Sequence, residues 1–411
     1  MPQPIGSPAS ESATSTTARG TPAEVFLVFL KLGLTSFGGP IAHLGYFREE
    51  LVVRRKWIDE AGYADLVALC QFLPGPASSQ VGFALGLLRA GPLGALTAWT
   101  AFTLPSALLL LAFAFAATSF DGATGEGLLH GLKLVAVAVV AQAVWGMTKS
   151  LTPDRPRAGI ALAAVVIVVA AAGSLGQIAA IATGALAGLM LCRNGAAVEA
   201  THLSFRVPRR FGIACLLVFV ALLLGLPLLT NAVDAQGLSL ADAFYRAGAL
   251  VFGGGHVVLP LLQAEVVAPG WVSEDAFLAG YGAAQAVPGP LFTFAAYLGA
   301  VMGPAPNGVA GAIIALIAIF LSGFLLLLGV LPFWDRFRRL PRAQAAMRGA
   351  NAAVVGILGA ALYSPVWTSA ILSPYDFALA LAAFMLLVVW KVPPWMVVVF
   401  CALGGIGLTF L

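Results

Sequence analysis

Phe29-Leu30-Lys31-Leu32-Gly33-Leu34-Thr35-Ser36-Phe37-Gly38-Gly39 recurs as Phe244-Tyr245-Arg246-Ala247-Gly248-Ala249-Leu250-Val251-Phe252-Gly253-Gly254. Five of the eleven positions are identical at an offset of 215, and Lys31 is matched by Arg246. A second block follows each copy. Trp57, Glu60, Gln71 and Pro74-Gly75-Pro76 align with Trp271, Glu274, Gln285 and Pro288-Gly289-Pro290, all at an offset of 214. The chain is two copies of one unit. Both copies place glycine and proline inside apolar segments, where helix breakers are costly. In membrane transporters, interrupted helices at corresponding positions of two halves point to the substrate site.

The composition around these blocks is that of a polytopic membrane protein. Hydrophobic residues make up 60% of the 411 positions and charged residues 10%, against roughly 25% charged in a soluble domain. Phe211–Thr230 and Ile371–Trp390 are apolar runs of the length needed to cross a bilayer. No period-two alternation suggests a barrel, so the spans are expected to be helices. The net charge of +4 reflects basic loops and implies no nucleic-acid partner. Residues 1–22 are rich in Ser, Thr, Ala, Pro and Gly and read as a disordered tail. They lack a basic stretch followed by an apolar core, so no cleaved signal is expected. Cys70, Cys192, Cys215 and Cys401 have no paired spacing and read as small core residues.

Apolar segments divide the chain into a first unit (23–192), a basic linker with one extra span (193–243) and a second unit (244–411). Each unit has about six segments. A single linking span reverses the second unit, so an inverted repeat is expected. Cytoplasmic loops carry excess Lys and Arg. Clusters at Lys149–Arg157, Arg193–Arg210 and Arg336–Arg348 share one side if all thirteen segments cross, but Arg48, Arg54, Arg55 and Lys56 then fall on the other. The matched loop, with Glu265, Glu274 and Asp275, also has the wrong sign. Both anomalies vanish if the first two segments of each unit are re-entrant hairpins, folding at the Gly-Gly and Pro-Gly-Pro blocks. Nine crossings remain, with a cytoplasmic N-terminus and a periplasmic C-terminus.

The same blocks are the candidate binding residues. Proline suits the first turn of a helix and glycine the bend before it. Phe37-Gly38-Gly39-Pro40 and Phe252-Gly253-Gly254-Gly255-His256 are therefore expected to begin half-helices whose free N–H groups attract an anion. Pro74-Gly75-Pro76, followed by Ser78 and Ser79, and Pro288-Gly289-Pro290, followed by Thr293, offer further N-termini with hydroxyls. The alternative is that these residues only kink or tightly pack helices. Lys31 and Arg246 are ionisable groups in apolar segments and so are candidates to neutralise substrate charge, or else they snorkel. Gln71 and Gln285 precede the Pro-Gly-Pro blocks and could donate to substrate. His43 and His256 are possible proton relays, weighed against ordinary core histidines. Glu24 and Asp65 are weaker candidates for proton coupling.

No enzyme signature competes. There is no phosphate-binding Gly-x-x-x-x-Gly-Lys-Ser/Thr, no metal-ligand spacing and no nucleophile elbow. No cofactor, metal or catalytic residue is expected.

At Phe37-Gly38-Gly39-Pro40, Trp57, Pro74-Gly75-Pro76 and their echoes Phe252-Gly253-Gly254-Gly255, Trp271 and Pro288-Gly289-Pro290, the chain resembles the long, two-unit type of the chromate ion transporter family. The resemblance extends over about 24–411. It implies a bacterial inner-membrane carrier that exports chromate, driven by membrane potential or a proton gradient, and confers chromate resistance. Sulfate is the related oxyanion and a competitor or exchange partner. The family is usually described with thirteen spans, at odds with the hairpin reading. The residues themselves read only a tetrahedral dianion, so an oxyanion importer or exchanger and an anion channel stay open. A homodimer is a common assembly for such carriers.

Overall fold

A computed structural model of the chain describes residues 20–117, 122–192, 207–338 and 340–410. Residues 1–19 of the expected tail and most of the basic linker lie outside them. The described residues form helices and no strand.

Two broken segments open the first unit. In the first, α1 (Pro22–Thr35) and α2 (Gly39–Phe47) flank a break, and wider turns continue α2 over Arg48–Arg54. In the second, α3 (Glu60–Phe72) is followed by a break and α4 (Ala77–Ala117). The caps follow from local chemistry: the Thr21 hydroxyl accepts the Glu24 N–H, and the Asp59 carboxylate accepts the Gly62 N–H. α1 thus starts within the expected tail, because Thr21 and Pro22 are an N-cap and a first-turn proline. α4 is itself interrupted at Ala90 and Gly91, where Gly91 has φ of 69° ahead of Pro92.

Each broken segment folds back on itself. Arg89 links three places: its carbonyl accepts the Gly20 N–H at 3.1 Å, its guanidinium meets Glu24 at 3.1 Å, and it lies 5.4 Å from the Trp57 ring centroid. The start of α1, the loop after the first segment and the end of the first half of α4 therefore share one end of the molecule. Had residues 22–54 run as one straight helix, Trp57 would stand about 50 Å from the start of α1 at ~1.5 Å per residue.

The second unit repeats the arrangement with α9 (Gln236–Ala249), α10 (Val258–Val266), α11 (Glu274–Ala284) and α12 (Phe294–Val301). The Gly303 N–H donates to the Trp271 carbonyl at 3.0 Å. Gly303 and Trp271 stand at the positions of Arg89 and Trp57. α9 begins eight residues before the expected boundary at Phe244, since the helix runs ahead of the stretch that retains sequence identity.

The remaining helices are α5 (Gly122–Leu151), α6 (Arg155–Ala170), α7 (Ser174–Leu191), α8 (Arg209–Ala232), α13 (Gly308–Val330), α14 (Pro341–Ala361), α15 (Pro374–Val388) and α16 (Pro394–Leu408). Among the described residues, six helices are long and apolar enough to cross a membrane. The chain is an all-α polytopic membrane protein. Small residues bring its helices together, as membrane helices require. A Cβ on Gly131 of α5 would meet the Cys401 carbonyl of α16 at 2.2 Å, and one on Gly188 of α7 the Ala345 carbonyl of α14 at 2.3 Å. In both pairs the fourth segment of one unit holds the sixth of the other. The linking helix α8 lies on the second unit, where the Tyr245 hydroxyl donates to the Phe219 carbonyl at 3.1 Å.

Charge divides the two ends. At one, Arg338 and the Trp334 indole both donate to Asp65, at 2.9 and 3.0 Å, and Arg348 donates to the Cys192 carbonyl at 3.0 Å. This end collects Arg48, Arg54 and Arg55 together with Arg336, Arg338 and Arg348. At the other, Lys133 meets Asp275 at 2.8 Å, His130 meets Asp376 at 2.7 Å, and the Ser369 hydroxyl donates to Glu274.

Candidate functional site

The four breaks meet one another. The Gly75 N–H donates to the Val251 carbonyl at 2.8 Å, and the Gly289 N–H donates to the Ser36 carbonyl at 2.9 Å. Ser36 and Val251 are repeat partners, as are Gly75 and Gly289. Pro40 and Gly255 are also partners, and they touch: a Cβ on Gly255 would lie 3.1 Å from Pro40 Cγ. The second hairpin of each unit thus rests on the first hairpin of the other. Glycine is needed at the donors, where φ is 121° at Gly75 and 102° at Gly289.

The breaks leave helix starts without side-chain caps. Gly38 precedes α2, Gly254 precedes the short turn leading to α10, and Pro290 precedes the turn leading to α12; none has a capping hydrogen bond. Their free N–H groups form positive helix ends. Around them lie polar atoms without partners. The hydroxyls of Ser36, Ser79 and Thr103 and the side-chain nitrogen of Gln285 are buried and have no hydrogen-bond partner among the described residues. An unmet buried polar group costs about 1–3 kcal/mol, so a concentration of them beside open helix starts points to a ligand.

His43 is 1% exposed. Its Nδ1 lies 3.4 Å from the Ser78 hydroxyl, its ring stands edge-on to Phe102, and it approaches the Ser36 backbone. His256 makes the matching link in the second unit, with Nδ1 2.7 Å from the Tyr281 hydroxyl. In each unit, then, a histidine after the first break touches a hydroxyl of the second hairpin. Gln80 holds the second break in place, donating to the carbonyls of Pro74 and Gly323 at 3.1 and 2.9 Å.

Of the residues singled out in the sequence, Phe37, Gly38, Gly39 and Pro40, Pro74, Gly75 and Pro76, Phe252, Gly253, Gly254 and Gly255, and Pro288, Gly289 and Pro290 all lie at the breaks. Ser78, Ser79, His256 and Gln285 lie beside them. Thr293 bonds its own turn, donating to the Pro290 carbonyl at 2.7 Å. Gln71 is exposed. Lys31 and Arg246 lie along the hairpin arms and already have carboxylate partners. Lys31 Nζ is 3.0 Å from Glu50, and Arg246 is 2.7 Å from Glu265 and 3.1 Å from Asp242. Glu50 and Glu265 are repeat partners at the 215 offset, a signal legible in the sequence but overlooked there. Ser36, Thr103 and Tyr281 left no such trace, whereas Gln80, which follows Ser78 and Ser79 and is expected from the sequence to reach an oxyanion, donates instead to backbone carbonyls. Among the described residues no cluster of His, Cys, Asp and Glu could hold a metal ion.

The chain is similar in sequence to known proteins over most of its length. Over 412 residues the chain is 28% identical to the chromate transport protein of Pseudomonas aeruginosa, covering 96% of this chain and 95% of that protein. It is 29% identical over 371 residues to the chromate transport protein of Cupriavidus metallidurans, covering 88% and 86%. No solved structure matches. The model of the family described as chromate transporter matches residues 23–189 and again 238–406, and the chain belongs to that family.

Proposed function

We propose that this chain is a carrier that exports chromate across the bacterial inner membrane and so confers chromate resistance. The observation that supports it most is the mutual crossing of four breaks, which brings uncapped helix starts and unpartnered hydroxyls to one place. A tetrahedral dianion presents oxygens in all directions and suits such a set of donors. The relatives described as chromate transport proteins supply the choice of oxyanion. Export down an interior-negative potential gains about 2.3 kcal/mol per charge per 100 mV, so membrane potential alone, or a proton gradient with it, can drive a dianion outward.

In this reading the basic end faces the cytoplasm, the four hairpins are re-entrant, and the units form an inverted pair that exposes the breaks alternately. The N-terminus is cytoplasmic and the C-terminus periplasmic. Val53 is 47% exposed and the four native cysteines are buried. Val53→Cys is therefore expected to react with an impermeant thiol reagent only from the cytoplasmic face. Reaction from the periplasm in intact cells would overturn this orientation.

Saturable counterflow of labelled chromate in proteoliposomes tests the carrier reading. Flux that never saturates would instead indicate a channel, and sulfate moving in preference to chromate would replace the substrate. Ser36→Ala and Ser79→Ala are each expected to weaken chromate binding about tenfold or more, since a hydrogen bond to a charged group contributes about 1.5–3 kcal/mol. Unchanged affinity in both variants would move the site away from the breaks.

A further inference from the structure

The matched pairs Lys31–Glu50 and Arg246–Glu265 have diverged in a telling way. In the first hairpin, one carboxylate faces three cations: Glu50 lies 3.0 Å from Lys31, 2.9 Å from Arg55 and 3.7 Å from Arg54. The Lys31 side chain is 55% exposed. In the third hairpin, one guanidinium faces two carboxylates, Glu265 at 2.7 Å and Asp242 at 3.1 Å. Both carboxylate side chains are only 9% exposed. The position of Asp242 is occupied in the first unit by Leu27, 66% exposed, so the second acid is particular to this hairpin.

Among the described residues, the helices around the site offer no further cation. α9 carries only Asp242 and Arg246, and α10 only Glu265. α7 and α13 carry no charged residue. The charges of α8, Arg209 and Arg210, sit at its start; those of α14 are Arg342, in its first turn, and Arg348, which donates to the Cys192 carbonyl beyond the far end of α7 from Ser174. The nearby histidine, His256, is engaged by Tyr281. Two carboxylates and one guanidinium in a low-dielectric setting leave one negative charge unmet, and a single proton removes it.

Two side chains of α7 reach α10, the helix that carries Glu265. Ser174, in its first turn, reaches Glu265. Gln177 is 5% exposed and donates through Nε2 to the Pro260 carbonyl of α10 at 2.8 Å. Its amide oxygen is buried with no partner among the described residues.

We infer that Asp242 and Glu265, gathered on Arg246 beside Ser174, form a proton-binding site. The inference rests on the carrier reading and deepens it by naming where the coupling proton resides. Arg246 lies five residues before Val251, whose carbonyl receives the Gly75 N–H. Protonation changes the net charge of a hairpin arm that leads directly into the crossing. The first hairpin retains the equivalent pair with Glu50 just as buried but faced by three cations, and so unsuited to holding a proton.

The test uses the full chain in proteoliposomes, with chromate counterflow and chromate flux under an imposed pH gradient measured side by side. Infrared difference spectra of the same protein between acid and alkaline buffer add a readout independent of transport. Wild type is expected to respond to the gradient and to show the carbonyl band of a protonated carboxylic acid. Asp242→Asn and Glu265→Gln are expected to abolish the gradient response, remove that band, and keep gradient-free counterflow within about twofold. Glu50→Gln is expected to keep the gradient response. The proposal is overturned if either third-hairpin variant keeps both response and band. It is equally overturned if wild type shows counterflow with no gradient response and no band, or if the variants lose counterflow along with the response while the band persists. Absence of chromate counterflow in wild type would sink the carrier reading instead, with the infrared band still deciding the proton site.

Discussion

Gly289→Val is expected to abolish transport while leaving the protein in the membrane. Gly289 has φ of 102°, which a β-branched residue adopts only under strain of about 1–3 kcal/mol. Its added Cβ would lie 2.8 Å from the Ser106 hydroxyl and 3.2 Å from the Phe102 carbonyl, and overpacking of this kind costs about 1–3 kcal/mol more. The nearest relief is withdrawal of the break, which sacrifices the Gly289 hydrogen bond to Ser36. Together these costs correspond to roughly 30-fold to 10⁴-fold less of the assembled crossing, at about 1.4 kcal/mol per factor of ten. Gly75→Val should act in the same direction, because its Cβ would meet Gln80 Nε2 at 3.0 Å and Gly323 Cα at 3.1 Å. Gly39→Ala is the milder comparison: φ is 81°, yet no atom lies within 4 Å of the new Cβ. Counterflow at equal amounts of inserted protein measures all three. Transport by Gly289→Val at the wild-type rate would show that the crossing is not part of the pathway.

Arg338→Ala should cost stability rather than specificity. The Asp65 and Arg338 side chains are 4% and 2% exposed, and Asp65 accepts from both Arg338 and Trp334. Removing the guanidinium strands a buried carboxylate, at about 3–5 kcal/mol, a large share of the 5–15 kcal/mol typical of a folded domain. The expected result is a marked fall in thermal midpoint in detergent and little protein recovered from membranes. Asp65→Asn combined with Arg338→Ala should recover much of the loss, since the penalty comes from the unpaired charge. If the single variant is as stable as wild type, the pair does not anchor the second hairpin to the end of α13.

The repeat, the helical membrane class and the positions of the breaks were legible in the sequence, because glycine and proline at matched offsets announce bends irrespective of tertiary context. The loop charges were informative for a related reason: arginine at residues 48–55 and acid at 265–275 report the cost of moving charge through lipid. Partnership was harder to see. Lys31 reads as a free cation because Glu50 lies nineteen residues away, across a fold in the segment. Ser36 and Thr103 look like ordinary small polar residues, and only their burial without partners marks them. The bond from Gly75 to Val251 joins residues 176 apart, and local propensity carries no information about such a pairing.

The reciprocal bonds between the units also constrain biogenesis. Ser36 leaves the ribosome 253 residues before Gly289, the residue whose N–H its carbonyl accepts. At a synthesis rate of about 5–20 residues per second, that is a delay of roughly 13–50 s. For that interval the nascent first hairpin has an unmet backbone carbonyl, and in the proposed re-entrant arrangement it lies at a depth where lipid provides no donor. It must be sheltered by the translocon or by water until the second unit arrives. The last hairpins to be made complete the first.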